Sequence, residues 1–300
     1  MIIETEGLSK TFRRHDAVRR VSLSVPSGAV YALVGENGAG KTTTLRMLVN
    51  ILTPDRGTAR VLGVHSRHLA RREFLRLAYV SENQSLPDRL TVAQYFGYLR
   101  SLYPNWDRHL ETALLARFAL PHDRRLGNLS HGMRMKAMLA GALSFRPELL
   151  ILDEPLSGLD PLVRDEVMEG LLQQAENTTI LISSHELSEI EGAATHLAFM
   201  DRGRVLFQEH VDVVSARFRE ITATLGDDGG TAVGLPASWL IPELSTHSFR
   251  CVETAFVSDA DVLQKLILHV GAVGHVDVRP MSLREIAKSL MRAMRTQDRP

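Results

Sequence analysis

Cysteine is nearly missing from this sequence: Cys251 stands alone among 300 residues. No intrachain disulfide can form, and no metal site can be built on a set of thiolates. An excess of charge is missing too, because 35 Lys and Arg balance 35 Asp and Glu. No net field therefore draws the chain to nucleic acid or to an anionic membrane. No stretch reaches the roughly 18 consecutive apolar residues that a spanning helix requires. The start, Met1-Ile2-Ile3-Glu4-Thr5-Glu6, lacks a basic residue ahead of an apolar run, so no secretory leader is read there. Internal repeats, heptad runs and low-complexity tracts are absent as well. The expectation is a soluble, cytosol-facing chain, with any membrane role supplied by a partner.

Apolar residues are abundant, at 44%, enough for a sizeable core and too many for a disordered or collagen-like chain. The length suits one large domain with a small one, or two modest domains. Val21-Ser22-Leu23-Ser24-Val25 alternates at period two and predicts a half-buried antiparallel strand. Residues 29–34 form a short continuous apolar run, as expected of a strand buried on both faces. Residues 50–57 read as a loop before a strand at 58–62, and residues 43–52 read as helical. From residue 91 to 145 the pattern is helical. Val92, Tyr95, Phe96 and Leu99 share one face, and Leu110, Ala113, Leu114 and Phe118 share another. Apolar strands at 149–152 and 179–182 are each expected to precede a helix, which predicts a mostly parallel sheet. Asp201-Arg202-Gly203 reads as a hairpin turn between strands at 196–200 and 204–208. Residues 226–230 read as a turn or linker. Beyond it lie strands at 249–256 and 275–278, a helix at 259–269, and a final helix. That last helix carries Leu283, Ile286, Ala287, Leu290, Met291 and Met294 as one apolar stripe.

Two places carry chemistry. Gly35-Glu36-Asn37-Gly38-Ala39-Gly40-Lys41-Thr42 fits the phosphate-loop pattern G-x-x-x-x-G-K-[ST], after a buried strand and before a helix. Its glycines let consecutive N–H groups curl around an anion, and the helix start adds positive potential. Lys41 can reach the β- and γ-phosphates and Thr42 can ligate Mg²⁺. The second place is Leu149-Leu150-Ile151-Leu152-Asp153-Glu154, an apolar strand ending in two carboxylates. Parallel sheets gather chemistry at the carboxyl ends of their strands, so this end should lie beside the phosphate loop. Asp153 would then hold Mg²⁺ through water and Glu154 would activate the attacking water. Taken alone, the two acids read more readily as a solvated start to a loop; their place behind a phosphate loop favours the catalytic reading.

Taken together these residues resemble the ATP-binding subunit of ABC transporters, of the prokaryotic exporter-like type. Residues 35–42 are similar to that family's Walker A loop and residues 149–154 to its Walker B strand with the catalytic glutamate. Leu129-Ser130-His131-Gly132-Met133 resembles the LSGGQ signature, Ser157-Gly158-Leu159-Asp160 the D-loop, and His185 the switch histidine. Phe12 sits where the family places an aromatic on adenine. Tyr103-Pro104-Asn105-Trp106-Asp107 and Leu283-Arg284-Glu285-Ile286 are similar to exporter-type subunits. By themselves Ser130 reads as a helix N-cap, Asp160-Pro161 as a helix start, and His185 as a structural histidine.

The resemblance implies an α/β P-loop NTPase. Its parts would be a mostly parallel sheet, an N-terminal antiparallel β subdomain, a helical signature subdomain over about residues 85–145, and a small α+β C-terminal domain. The implied division is 1–217 for the ATP-binding domain and 218–300 for the accessory one. ATP would rest on Phe12, Gly35, Asn37, Gly38, Ala39, Gly40, Lys41, Thr42 and Thr43, and on Ser130, Gly132 and Asp160 of a second copy. Mg²⁺ would fall to Thr42, Asp153 and Glu82, and hydrolysis to Glu154, His185 and Lys41. Implied partners are an identical ATP-binding subunit and separately encoded permease subunits, which would hold the chain peripherally on the cytoplasmic face of the membrane. A groove running from Glu82 through the helical region would receive the permease.

Two departures stand out. Glu82 replaces the family's usual glutamine, with Gln84 two positions on. His131 and Met133 replace the usual Gly and Gln of the signature, while Ser130 and Gly132 are kept. These departures support a rival reading, a regulatory ATP binder that hydrolyses slowly. Another rival is a soluble, non-transport ABC ATPase in DNA repair or ribosome work. The missing coiled coil, the single cassette and the balanced charge count against that one. The tail is read as packing against the core or a partner copy; His247, His269 and His275 are too scattered for a metal.

Overall fold

The computed structural model describes residues 1–175, 177–225, 234–245, 247–271 and 273–297, with side chains described as far as residue 293. The chain forms two compact units, Met1–Gln208 and Glu209–Pro300, so the division comes ahead of residue 217.

The first unit opens with strands β1 (Ile3–Phe12), β2 (His15–Val21), β3 (Ser24–Val25) and β4 (Val30–Val34), followed by helix α1 (Lys41–Leu48). Next come β5 (Arg56–Val61), β6 (Val64–His65), α2 (Arg71–Phe74) and β7 (Leu77–Ser81). Three helices follow, α3 (Val92–Leu102), α4 (Arg108–Arg117) and α5 (His131–Leu143). The unit then runs through β8 (Leu149–Asp153), α6 (Pro161–Leu172), β9 (Thr179–Ser184), β10 (His196–Asp201) and into β11 (Arg204–His210).

Two sheets result. The antiparallel one has the order β2-β1-β5-β6, with β3 on β1. The other has the order β11-β10-β4-β9-β8-β7, and its β10/β4, β4/β9, β9/β8 and β8/β7 pairings are parallel. Every residue of β4, β8 and β9 is buried, as the continuous apolar runs require of strands covered on both faces. One core cluster joins the sheets across α1, with Ile3, Leu23 and Val61 on one side and Leu45, Ile151 and Leu181 on the other. This packing sets the loop before α1 against the ends of β8 and β9.

Several local expectations change. The alternation over 21–25 holds in burial, but the strand is broken at Ser22-Leu23, and β3 keeps only two residues. Helix α1 stops at Leu48, because Asn50 turns left-handed (φ 59°) and Ile51 N–H closes back onto Arg46 O at 2.9 Å, a Schellman-type end. In α4 the buried face is Glu111, Leu114 and Leu115, while Ala113 is exposed. Glu111 tolerates burial because Arg100 donates twice to it, at 2.8 and 3.1 Å, and Trp106 Nε1 donates at 2.6 Å. No helix follows β9, only a 3-10 turn over Leu187–Glu189. There the Ser184 hydroxyl takes Glu186 N–H and bonds the Glu189 carboxylate, coiling the chain tightly. Arg202 (φ 44°) and Gly203 (φ 82°) form the expected hairpin turn.

The second unit contains α7 (Val211–Arg217), β12 (Arg219–Leu225), β13 (Trp239–Leu244), β14 (Ser248–Glu253), α8 (Asp259–His269), β15 (Val273–Pro280) and α9 (Leu283–Gln297). Its sheet is antiparallel with the order β13-β14-β12-β15. Ile221, Phe249, Cys251, Val262 and Leu266 form its separate core. Leu283, Ile286 and Ala287 of the α9 stripe are buried. Residues 226–230, read as a linker, and the side chain of Met294 lie outside the described parts.

Candidate functional site

The site grows from the turn between β4 and α1. Two glycines are demanded by close backbone approach. A Cβ at Gly35 would meet Met200 O at 2.1 Å, and one at Gly40 would meet Ala17 O at 2.3 Å. Gly40 also has φ 104°, a region closed to side chains at ordinary cost. Strands β10 and β2 thus press the loop into shape, and α1 begins immediately with Lys41.

Lys41 is buried, and its Nζ donates to Gly35 O at 2.6 Å and Glu36 O at 3.2 Å. It also lies 2.9 Å from Glu154 Oε1. The other carboxylate oxygen of Glu154 is 2.7 Å from His185 Nδ1. Burial works against ionising Glu154, but the bonds from His185 and Lys41 outweigh it and hold the carboxyl below its ordinary value. Glu154 also adopts φ 54°, a strained conformation for a side-chain-bearing residue that costs about 1–3 kcal/mol. It is held there by its own N–H on Ser183 Oγ at 3.0 Å and by its two side-chain partners.

Asp153 sits one residue earlier, at 2% exposure, and three hydroxyls bond its carboxylate. Thr42 Oγ1 donates to Oδ1 at 2.8 Å, Ser183 Oγ donates to Oδ1 at 3.1 Å, and Tyr79 OH donates to Oδ2 at 3.1 Å. An all-oxygen set of carboxylate and hydroxyl suits a hard divalent cation.

A cavity of about 410 Å³ opens beside this network. Residues 37–43 line one side, and Phe12, His15, Ala17, Glu82, Asn83 and Glu154 line the rest. Phe12 is 43% exposed there, with the Lys10 ammonium 5.6 Å from its ring centroid. Glu82 reaches the cavity wall, whereas Gln84 lines a different groove. Thus the structure brings together the loop, Phe12, Glu82, Asp153, Glu154 and His185. It does not bring Ser130, Gly132 or Asp160 to the cavity wall. Ser130 Oγ caps its own helix by accepting from Met133 N–H at 3.3 Å, and Asp160 Oδ1 caps α6 by accepting from Val163 N–H at 3.1 Å. A Cβ at Gly132 would lie 3.0 Å from Val163 Cγ1, so this glycine lets α5 approach α6 closely. The substituted signature residue His131 reaches Ser157 O at 3.2 Å.

Sequence reasoning overlooked Tyr79 and Ser183 as partners of Asp153. The available signal was the hydroxyls of Tyr79 and Ser183 in strands that are otherwise largely apolar and buried, since buried polar groups need partners.

Comparison with known proteins agrees with this geometry. The ABC transporter family model matches residues 18–157. The bacitracin transport ATP-binding protein BcrA of Enterococcus faecalis is 33% identical over 235 residues, covering 77% of this chain and 76% of its own length. The protein of the same name from Bacillus licheniformis is 29% identical over 290 residues, covering 95% of this chain and 94% of itself. A solved ATP-binding subunit of an ABC transporter superposes with a TM-score of 0.66 at 27% identity, covering 72% of this chain and 92% of that one. The chain belongs to the ABC transporter family of ATP-binding proteins.

Proposed function

We propose that this chain is the ATP-hydrolysing subunit of a membrane transporter, working as a pair of identical copies closed around two ATP molecules. The observation that carries the reading is the joined network Lys41–Glu154–His185 beside a glycine-shaped phosphate loop. Residues 37–43 offer backbone N–H groups and a helix start to the phosphates. Thr42, Asp153 and Glu82 are the residues proposed to hold Mg²⁺, which when bound neutralises charge between the β- and γ-phosphates.

The side chains divide the remaining work. Lys41 leaves Glu154 for the γ-phosphate, and Glu154 Oε1 then becomes free to accept a proton from water. His185 keeps hold of Oε2 and so fixes the direction of the carboxylate. Phosphoryl transfer depends chiefly on such positioning and on charge stabilisation. Ser130, Gly132 and Asp160 stand at helix starts away from the cavity of their own chain. That placement supports their acting on the nucleotide of the second copy.

None of the described helices is long and apolar enough to cross a membrane. The likeness to ATP-binding proteins of transport systems supports separate permease subunits on whose cytoplasmic side this chain docks. A groove of about 500 Å³ supports that docking, with Ile51, Phe74, Tyr95, Leu99 and Tyr103 in its wall. Ile51 and Phe74 are exposed, at 57% and 38%. The test is Glu154→Gln in sizing or light scattering with and without ATP. The variant should bind ATP and remain as a closed pair; a monomer indifferent to ATP would overturn the reading.

A further inference from the structure

Tyr79 joins two places that the proposed function treats separately. In the parallel register of β7 and β8, Tyr79 pairs with Ile151 and Ser81 pairs with Asp153. Tyr79 is thus diagonal to Asp153, a span within reach of an aromatic side chain and too wide for serine or threonine. Its hydroxyl donates to Asp153 Oδ2 at 3.1 Å. An ionised carboxylate can only accept, so the phenolic proton lies on this bond. Thr42 and Ser183 both use Oδ1, whereas Tyr79 holds Oδ2. The ring meanwhile is half-buried and forms part of the wall of the groove that holds Phe74, Tyr95 and Leu99.

We propose that Tyr79 is a positioning residue that anchors Asp153 through Oδ2, leaving Oδ1 aimed at Thr42, and that filling of the groove reaches the nucleotide site through this hydroxyl. The proposal rests on the reading of the cavity as the ATP site and of the groove as the permease dock. Partners that orient a metal-binding carboxylate normally change metal affinity by about tenfold or more when removed.

The experiment uses Tyr79→Phe, which keeps the ring and removes one oxygen. Mn²⁺ binding to the ADP-loaded full-length protein, followed by electron paramagnetic resonance, should weaken about tenfold. ADP affinity in EDTA and the melting temperature should stay at wild-type values. ATPase kcat should fall and recover with excess divalent cation, with KM for ATP little changed. A second substitution on the groove wall, Leu99→Phe, should shift Mn²⁺ affinity in the wild-type background and lose most of that effect in the Tyr79→Phe background, a coupling that only a double-mutant cycle isolates. Unchanged Mn²⁺ affinity in Tyr79→Phe overturns the anchoring role. Equal Leu99→Phe effects in both backgrounds, or none in either, overturn the link to the groove. Failure of the wild type to bind nucleotide at all would instead refute the ATP-site reading beneath it.

Discussion

Lys41 is ion-paired with Glu154, so the γ-phosphate of ATP has to compete with that carboxylate for the ammonium. Replacing Glu154 by Gln removes the competitor while keeping the shape, so the γ-phosphate should find Lys41 more readily. The size of the effect follows from the geometry. The ammonium and carboxylate are 2.9 Å apart, with side chains only 5% and 15% exposed. Unit charges about 4 Å apart interact by about 4 kcal/mol at an effective dielectric near 20. Desolvation of both groups takes back much of that, leaving roughly 1–2 kcal/mol. Lys41 keeps its bonds to Gly35 O and Glu36 O in either protein, so the pair alone is at stake. Each 1.4 kcal/mol is tenfold in affinity, and the expected tightening for ATP is roughly 5- to 30-fold. Equilibrium binding of a fluorescent ATP analogue in EDTA, where turnover is suppressed, measures it. ADP lacks the phosphate that takes over Lys41 and should gain much less. Equal gains for ATP and ADP, or weaker ATP binding in the variant, would refute this account of the Lys41–Glu154 pair.

Two further outcomes are expected. Glu154 and Glu253 both have folded-state pKa values held below the ordinary range; for Glu253 burial opposes ionisation, and Lys265, the Ala255 N–H and Ser238 outweigh it. Their stabilisation is therefore complete above the ordinary glutamate value near 4.3 and is lost as pH falls through the lowered folded values. Denaturation midpoints of the second unit's signal should drop less steeply below about pH 4.5 in Glu253→Gln than in wild type. Gly40→Ala should cost at least about 1–3 kcal/mol from backbone conformation alone, with the Ala17 O contact at 2.3 Å adding to it. A wild-type denaturant midpoint together with wild-type nucleotide affinity would contradict that.

Much of the fold could be read in advance because burial leaves a direct mark on composition. The runs in β4, β8 and β9 are apolar at every buried position but Thr179 and those near the site, so their parallel pairing followed from pattern. The helical region was legible by its period, yet Ala113 and Glu111 exchanged roles. A glutamate looks exposed until Arg100 and Trp106 close on it from outside the helix. The second unit was less legible. Strand β12 interleaves Glu220 and two threonines among its core residues, and Glu220 is buried only because Arg250 and Arg279 meet it across the sheet.

The same division holds at the site. The sequence by itself determined the phosphate loop, because its glycines, Lys41 and Thr42 act through consecutive backbone positions whose geometry is local. It also determined that Asp153 and Glu154 end a buried strand. Only the tertiary structure decided what those acids touch. Thr42 and Asp153 are 111 residues apart and Tyr79 and Asp153 are 74 apart. Their contacts exist because parallel register and the pressure of neighbouring strands bring those strand ends together, and no local pattern encodes a distance of that kind.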